Sequence, residues 1–131
     1  MTMMMMDHDA VCAYAQAKPG ATEDYPFGPE HRVLKVGGKM FALFGGASAS
    51  ASAGESGRVS LKCDPERVPL LRATYAAITF AAYMDKRHWN AVVFDGSVPD
   101  DLLRELVDES YALVVKGLPR RVRETLPPTD A

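Results

Sequence analysis

The chain has 131 residues, of which 47% are hydrophobic and 24% are charged, and its formal net charge is -2 at pH 7. This length fits one domain with a single core and leaves no room for a catalytic domain beside a regulatory one. The near-neutral charge excludes a histone-like polycation and an acidic disordered chain, and the two cysteines cannot by themselves supply a disulfide framework or the four ligands of a zinc site.

The charges are unevenly distributed along the chain. Residues 31–94 contain nine basic and four acidic residues, a net of +5, whereas the rest contains six basic and thirteen acidic residues, a net of -7. The middle of the chain is therefore basic and its two ends together are acidic.

The N-terminal segment is rich in methionine and lacks the basic region of a signal peptide, so we expect residues 1–6 to be disordered and no membrane span to be present. Residues 7–17 are rich in alanine, with Val11, Tyr14 and Ala15 at helical spacing, which predicts a first helix. Residues 22–29 contain Pro26 and Pro29 and are expected to be a connector.

Two β-prone segments follow, residues 32–36 and 39–44, and Gly37-Gly38 between them predicts a two-residue hairpin turn. Residues 45–57 contain only small side chains and Glu55, which predicts a flexible surface loop. Residues 58–63 alternate, so that Arg58, Ser60 and Lys62 should share the wet face of a third strand.

A second helix is predicted from Asp64-Pro65 to about residue 73, because Asp64 can cap it and proline suits its first turn. Two further strands are predicted at residues 79–83 and 88–95. Ser97 is the predicted N-cap of the longest helix, which should end at Gly117. A short basic helix at residues 119–126 and a disordered tail at 127–131 complete the chain.

This order of elements predicts an α+β fold with a single domain at residues 7–126. Helix, three strands, helix, two strands and helix form a two-layer sandwich, with an antiparallel five-stranded sheet covered on one face by helices. The other face of the sheet is expected to stay open.

Catalytic and metal-binding motifs are scarce. No Gly-x-Ser-x-Gly elbow is present, and Cys63 with His31 or His88 is the one pairing of nucleophile and base that the sequence offers. His8, His31 and His88 lie outside any ligand-spaced motif. We therefore expect no enzyme activity, no metal and no cofactor, and two buried cysteines in a reducing cytoplasm.

The densest group of functional side chains is Lys86-Arg87-His88-Trp89-Asn90. Cations bind phosphates, an aromatic ring stacks on bases, and an amide contacts base edges, so this composition is typical of a nucleic-acid contact. Alternatively, Trp89 anchors the core and Lys86-Arg87 is a polar turn.

Five ordered blocks, at residues 18–28, 33–42, 61–65, 86–90 and 110–119, resemble the MmcQ/YjbR family over about residues 7–123. The resemblance implies a fold related to frataxin (CyaY-like) and to secretion chaperones, and it implies DNA binding through a likeness to a double-wing motif. It points to seven residues of this chain: Lys39, Lys62, Lys86, Arg87, His88, Trp89 and Asn90. The chain departs from the family pattern before Lys86, where Asp85 replaces the usual asparagine and lowers the local positive charge.

Two hypotheses follow. In the first, the protein binds DNA with a basic sheet face and the 86–90 turn, which predicts that Lys35, Lys39, Arg58, Lys62, Lys86 and Arg87 converge on one surface. In the second, it is a chaperone-like adaptor for a protein or a second copy of itself, as a monomer or weak dimer, with an exposed apolar patch from Phe41, Leu43 or Val92. A frataxin-like metal module ranks last, since the first helix carries only Asp7 and Asp9.

Overall fold

The computed structural model describes residues 7–26, 28, 31–45, 57–81 and 84–126. Its elements are α1 (His8–Gln16), β1 (Ala21–Asp24), β2 (Arg32–Val36), β3 (Lys39–Gly45), β4 (Arg58–Lys62), α2 (Val68–Thr74), β5 (Ile78–Phe80), β6 (Trp89–Val93), α3 (Asp100–Lys116) and α4 (Arg120–Arg123). The predicted disorder of residues 1–6 and 127–131 lies outside the described residues, as does most of the predicted 45–57 loop. Gly45 instead ends β3, and the carbonyl of Gly57 accepts a hydrogen bond from the Phe94 N–H.

The strands form one antiparallel sheet in the order β1-β2-β3-β4-β6-β5. The predicted α+β class is confirmed, but the sheet has six strands rather than five because β1 replaces part of the predicted connector. β1 is an edge strand whose residues Thr22, Glu23 and Asp24 are exposed. It is held by backbone pairing to β2, so it carries no hydrophobic alternation that a sequence pattern could reveal.

Helices pack on one side of this sheet, which we call the covered side. Its inward residues form one core with α1 and α3: Leu34, Val36, Ala42, Phe44, Val59, Leu61, Ile78 and Val92 from the strands, and Val11, Cys12, Ala15, Leu103, Leu106, Val107 and Val114 from the helices. The opposite side, which carries Lys35, Leu43, Ser60, Lys62 and Trp89, is called the open side, because no described helix contributes to it. Val33, Ser60 and Ala91 are buried on that side and lie outside the main core, so the prediction of a wet face on β4 is correct for Arg58 and wrong for Ser60.

A β-bulge in β3 changes which side chains face the core. Leu34 pairs with Ala42 and Lys35 with Met40, so Phe41 is the extra residue. Its ring packs edge-on against Tyr111 of α3, with ring centroids 5.4 Å apart. The prediction that Phe41 or Val92 forms an exposed patch is therefore wrong, since both are at most 1% exposed, whereas Leu43 lies half-buried on the open side.

The helix termini follow the predicted chemistry at the start of α1 and the end of α3, but not at the starts of α2 and α3. α2 begins at Val68 rather than at Asp64-Pro65, because the Asp64 carboxylate accepts from the Glu66 N–H at 2.9 Å in a turn before the helix. Asp7 caps α1 through the Ala10 N–H at 2.9 Å, and Gly117 ends α3. α3 begins at Asp100 rather than after Ser97, because the Ser97 N–H and hydroxyl both bond to Asp95 at 2.9 and 2.6 Å in a local turn. None of the helices in the described part of the chain is long and apolar enough to cross a membrane.

The β2–β3 hairpin has the predicted Gly37-Gly38 turn, with positive φ values of 59° and 82°. Its tip lies against the C-terminal end of the helical layer. A Cβ atom on Gly37 would lie 2.6 Å from Leu118 Cδ1 and 2.9 Å from Val122 Cγ1. The hairpin and the start of α4 are thus in direct contact.

Candidate nucleic-acid interface

The strand register arranges the open side in three rows that cross the strands. The middle row contains Asp24, Val33, Leu43, Ser60, Ala91 and Thr79. One flank contains Thr22 paired through Lys35 to Met40, and Lys62 paired to Trp89, with no pairing between Met40 and Lys62, and the other flank contains Gly45, Arg58 and Val93. Cations therefore lie on both sides of a middle row that contains no cation.

The three cations of the open side differ in their exposure and in whether an acid pairs with them. Arg58 is exposed, and Lys62 lies half-buried beside its register partner Trp89. The Lys35 ammonium is 2.9 Å from the carboxylate of Asp24, which shares the open side. Three cations and one carboxylate give this surface a net charge of +2, and Arg58 and Lys62 are its cations without an acidic partner among the described residues.

Ser110 of α3 holds the backbone of β3 and β4 at the point where their pairing ends, next to the Ala42–Leu61 pair. Its hydroxyl donates to the Phe41 carbonyl at 2.6 Å and accepts from the Lys62 N–H at 2.9 Å. The residue is fully buried. On the buried face of α3, its role is to satisfy two backbone groups and to fix the backbone from which Lys62 projects.

Asp85 organises the turn before β6. Its side chain accepts from the Arg87 N–H at 2.8 Å, and its carbonyl accepts from the N–H groups of His88 and Trp89. The His88 ring lies 3.0 Å from the same carboxylate. The Arg87 N–H and the His88 ring lower the pKa of Asp85. The carboxylate that precedes residues 86–90 and reduces the local positive charge therefore also holds the turn through these hydrogen bonds.

Arg72 of α2 binds the other side of this turn. Its guanidinium donates to the Lys86 carbonyl at 2.7 Å, to the Trp89 carbonyl at 3.1 Å and to Asn90 Oδ1 at 2.7 Å. One side chain thereby fixes both ends of the 86–90 segment. No sequence motif links positions 72 and 86–90, so this contact emerges only from the fold.

Asn90 does not lie on the surface with the cations. It is 3% exposed and pairs with Leu61 on the covered side. Its carbonyl oxygen is used by Arg72, and its Nδ2 has no hydrogen-bond partner among the described residues. The structure therefore assigns Asn90 an interior position in which it holds the turn rather than a position from which it contacts base edges.

Two of the six basic residues expected to converge lie elsewhere. Lys39 pairs with Val36, a core residue, and so belongs to the covered side at the hairpin tip. The Lys86 ammonium lies over the Phe80 ring, 5.2 Å from its centroid, at the outer edge of the sheet. Lys35, Arg58 and Lys62 are brought together with Trp89, and Arg87 is exposed in the turn that precedes Trp89.

His31 joins the open side, although the sequence suggested it only as a base. A Cβ atom on Gly45 would lie 3.3 Å from Nδ1 of His31, so the imidazole covers the Gly45 backbone. Gly45 pairs with Arg58. The imidazole therefore lies at the corner of the open side that carries Arg58.

Cys63 is not activated as a nucleophile. Burial, together with the neighbouring Glu109 carboxylate, raises the pKa of its thiol to about 11. A reactive cysteine needs the opposite shift, because the thiolate is the nucleophile. The Cys63 N–H donates to the His88 carbonyl at 2.7 Å, which extends the β4–β6 ladder.

Comparisons with known proteins agree on one family. The family model described as YjbR matches residues 16–113. The chain is 33% identical to the uncharacterized protein YbdF of Escherichia coli O157:H7, covering 92% of this chain and 94% of that protein. It is 34% identical to the uncharacterized protein YjbR of Escherichia coli K12, covering 86% and 91%.

Solved structures show the same architecture. The crystal structure of Deinococcus radiodurans protein DR2400, with the family-model domain DUF419, is similar with a TM-score of 0.81 and 34% identity over 96% of this chain and 93% of that one. A crystal structure of a protein from Pseudomonas syringae has a TM-score of 0.69 and 27% identity over 83% and 99%.

Proposed function

This chain belongs to the YjbR family, and we propose that it binds DNA through the open side of its sheet. The observation that carries the proposal is the strand register, which places Lys35, Arg58 and Lys62 together with the single tryptophan on the side that no described helix covers. Binding of this kind is an electrostatic contact with no catalytic step and no cofactor.

The spacing of the cations supports a contact with two phosphate rows. Arg58 and Lys62 lie four residues apart on β4 and project to the same side, which separates their Cα atoms by about 13 Å. This is similar to the width of the major groove of DNA, about 12 Å. The middle row between them carries no cation, and Trp89 beside Lys62 offers a ring for stacking on an unpaired base.

The charge of the open side predicts weak binding that depends strongly on salt. Each phosphate neutralised by a cation contributes a slope of about 0.9 in the plot of log affinity against log salt for duplex DNA. Three cations give a limiting slope of roughly 2.7. Asp24 reduces this number because Lys35 must exchange its carboxylate partner for a phosphate.

Fluorescence anisotropy with a labelled short duplex and the matching single strand, over a series of salt concentrations, tests the proposal. The R58Q/K62Q variant should lose about 1.8 of the slope, whereas R104Q, which removes an exposed arginine of α3, should leave it unchanged. D24N should raise the affinity by releasing Lys35. Absence of binding at low salt, or an equal loss in R104Q and R58Q/K62Q, overturns the proposal.

A protein-binding adaptor is the alternative, and the exposed apolar side chain of Val93 favours it. Val93 on the open side is 38% exposed and Leu43 is half-buried, whereas Val33 and Ala91 of the middle row are buried. In that case the partner is a protein or a second copy of the chain. Light scattering that shows a concentration-dependent dimer, lost in V93D, together with no DNA binding, would support the adaptor over the DNA-binding proposal.

A further inference from the structure

We propose a second DNA contact at the C-terminal end of the helical layer, formed by Lys39, Lys116, Arg121 and Arg123, which we call the α4 surface. The inference rests on the proposed DNA binding and adds a separate surface for the phosphate backbone.

The first observation is an excess of cations that have no acidic partner. Residues 116–126 contain four basic residues and one acidic residue. That acid, Glu124, is 2.9 Å from Nε of Arg120. Lys116, Arg121 and Arg123 are exposed, and none has an ion pair with an acid in the described part of the chain. This cluster is basic although the two ends of the chain together carry a negative net charge.

The second observation is that the hairpin brings Lys39 to the same place. The hairpin tip at Gly37 packs against Leu118 and Val122. Lys39 follows the turn, is exposed, and belongs to the covered side because its register partner is Val36. A strand residue and the cations after α3 therefore border one surface.

Charge is also segregated along α3. Its acids lie at positions 100–109, and Lys116 is seven residues beyond the last of them, about 10 Å along the helix axis. Glu105 and Glu109 are paired with Arg67, and Asp108 with Lys18. A phosphate backbone at the α4 surface thus meets cations while the acids lie farther along the helix.

The composition of α4 favours DNA over a membrane. An interfacial helix needs exposed apolar side chains to insert among the lipids. In α4 the apolar residue is Val122, which lies half-buried against the hairpin, and the preceding Leu118 is 4% exposed. The exposed residues of α4 are arginines, which suit phosphates in water.

The β2–β3 hairpin connects the two proposed surfaces. Lys35 leaves it toward the open side and Lys39 toward the covered side. Because β1 and β4 pair with the outer sides of its two strands, a duplex that contacts both surfaces would pass around the turn of this hairpin. In such a complex, the number of phosphates neutralised exceeds the number that the open side alone can supply.

Anisotropy with a labelled duplex, measured in wild type, R121Q/R123Q and the control R104Q, tests the inference. We expect R121Q/R123Q to lower the salt slope by about 1.8 and the affinity by about eightfold per arginine near 0.1 M salt. R104Q should stay within twofold of wild type. Arg104, Arg121 and Arg123 are all exposed, so the thermal midpoints of the two variants and of wild type should agree.

Three results would overturn the inference. Equal affinities for R121Q/R123Q and R104Q, with wild type still binding, refute the α4 surface and leave the proposed function intact. Wild type that binds no duplex at low salt refutes both. Binding to phosphatidylserine vesicles that R121Q/R123Q abolishes, with duplex binding unchanged, assigns these arginines to a membrane instead.

Discussion

Replacing Ser110 by alanine should destabilise the fold more than any exposed serine replacement. The Ser110 hydroxyl is fully buried and completes the hydrogen bonds of two backbone groups, the Phe41 carbonyl and the Lys62 N–H. An alanine side chain can neither donate nor accept a hydrogen bond, and the pairing of β3 with β4 ends at Ala42 and Leu61, before these two groups.

The magnitude follows from these two groups. A buried backbone group without a partner costs about 1–3 kcal/mol, so the loss of two partners in S110A should lower the free energy of unfolding by about 2–6 kcal/mol. At about 2.1 cal/mol/K of unfolding entropy per residue, this corresponds to a thermal midpoint lower by about 7–22 °C. Urea denaturation should show an earlier midpoint with an unchanged m value.

S97A is the matched control, because Ser97 is exposed and bonds only within its own turn. It should change the free energy of unfolding by less than about 0.5 kcal/mol. A loss in S110A no larger than in S97A would refute the role assigned to Ser110 in joining β3 to β4.

Three further perturbations test other contacts. R72A should lower the free energy of unfolding, measured by urea denaturation, by about 2–4 kcal/mol. The reason is that neither Oδ1 nor Nδ2 of the buried Asn90 amide would then have a hydrogen-bond partner. A loss below about 1 kcal/mol contradicts this. G37A should destabilise more than G38A in thermal melts, since both have positive φ but only Gly37 has neighbours within 4 Å; equal losses contradict the packing of the hairpin on Leu118. In D85N, the free energy of unfolding should fall less on acidification than in wild type. The folded protein lowers the pKa of Asp85 below its usual 3.8, so the carboxylate contributes stability that is present above pH 3.8 and is lost as the pH falls through the folded-state pKa. An unchanged acid limb in D85N would contradict this.

The sequence predicts the fold well where burial imposes a pattern. The helices that cover the sheet, β2 to β4 and the Gly37-Gly38 hairpin all follow from periodicity and turn chemistry. β1 is missed by the sequence pattern because an exposed edge strand needs no alternation of apolar residues. α3 starts later than predicted because the Ser97 hydroxyl donates to Asp95 in a local turn instead of capping the helix. Composition alone does not decide between these two hydrogen-bond patterns.

The candidate site is less predictable than the fold. Alternation in β4 correctly places Arg58 and Lys62 on one face. Lys39 and Asn90 are placed wrongly when residues are grouped by their nearness in the sequence, because neighbouring residues of a strand point to opposite sides of the sheet. Arg72 becomes part of the site only through a contact across 14 to 18 positions of sequence, which no local pattern encodes.

The indole of Trp89 provides the most direct test of the central claim, because it is the only tryptophan and lies on the open side. A titration with duplex and single-stranded DNA at low salt, followed by the single indole N–H resonance, reports on that surface alone. DNA binding through the open side predicts a saturable shift with the same dissociation constant as the anisotropy titration. DNA binding that leaves this resonance unmoved, or no binding of either DNA, would contradict the account.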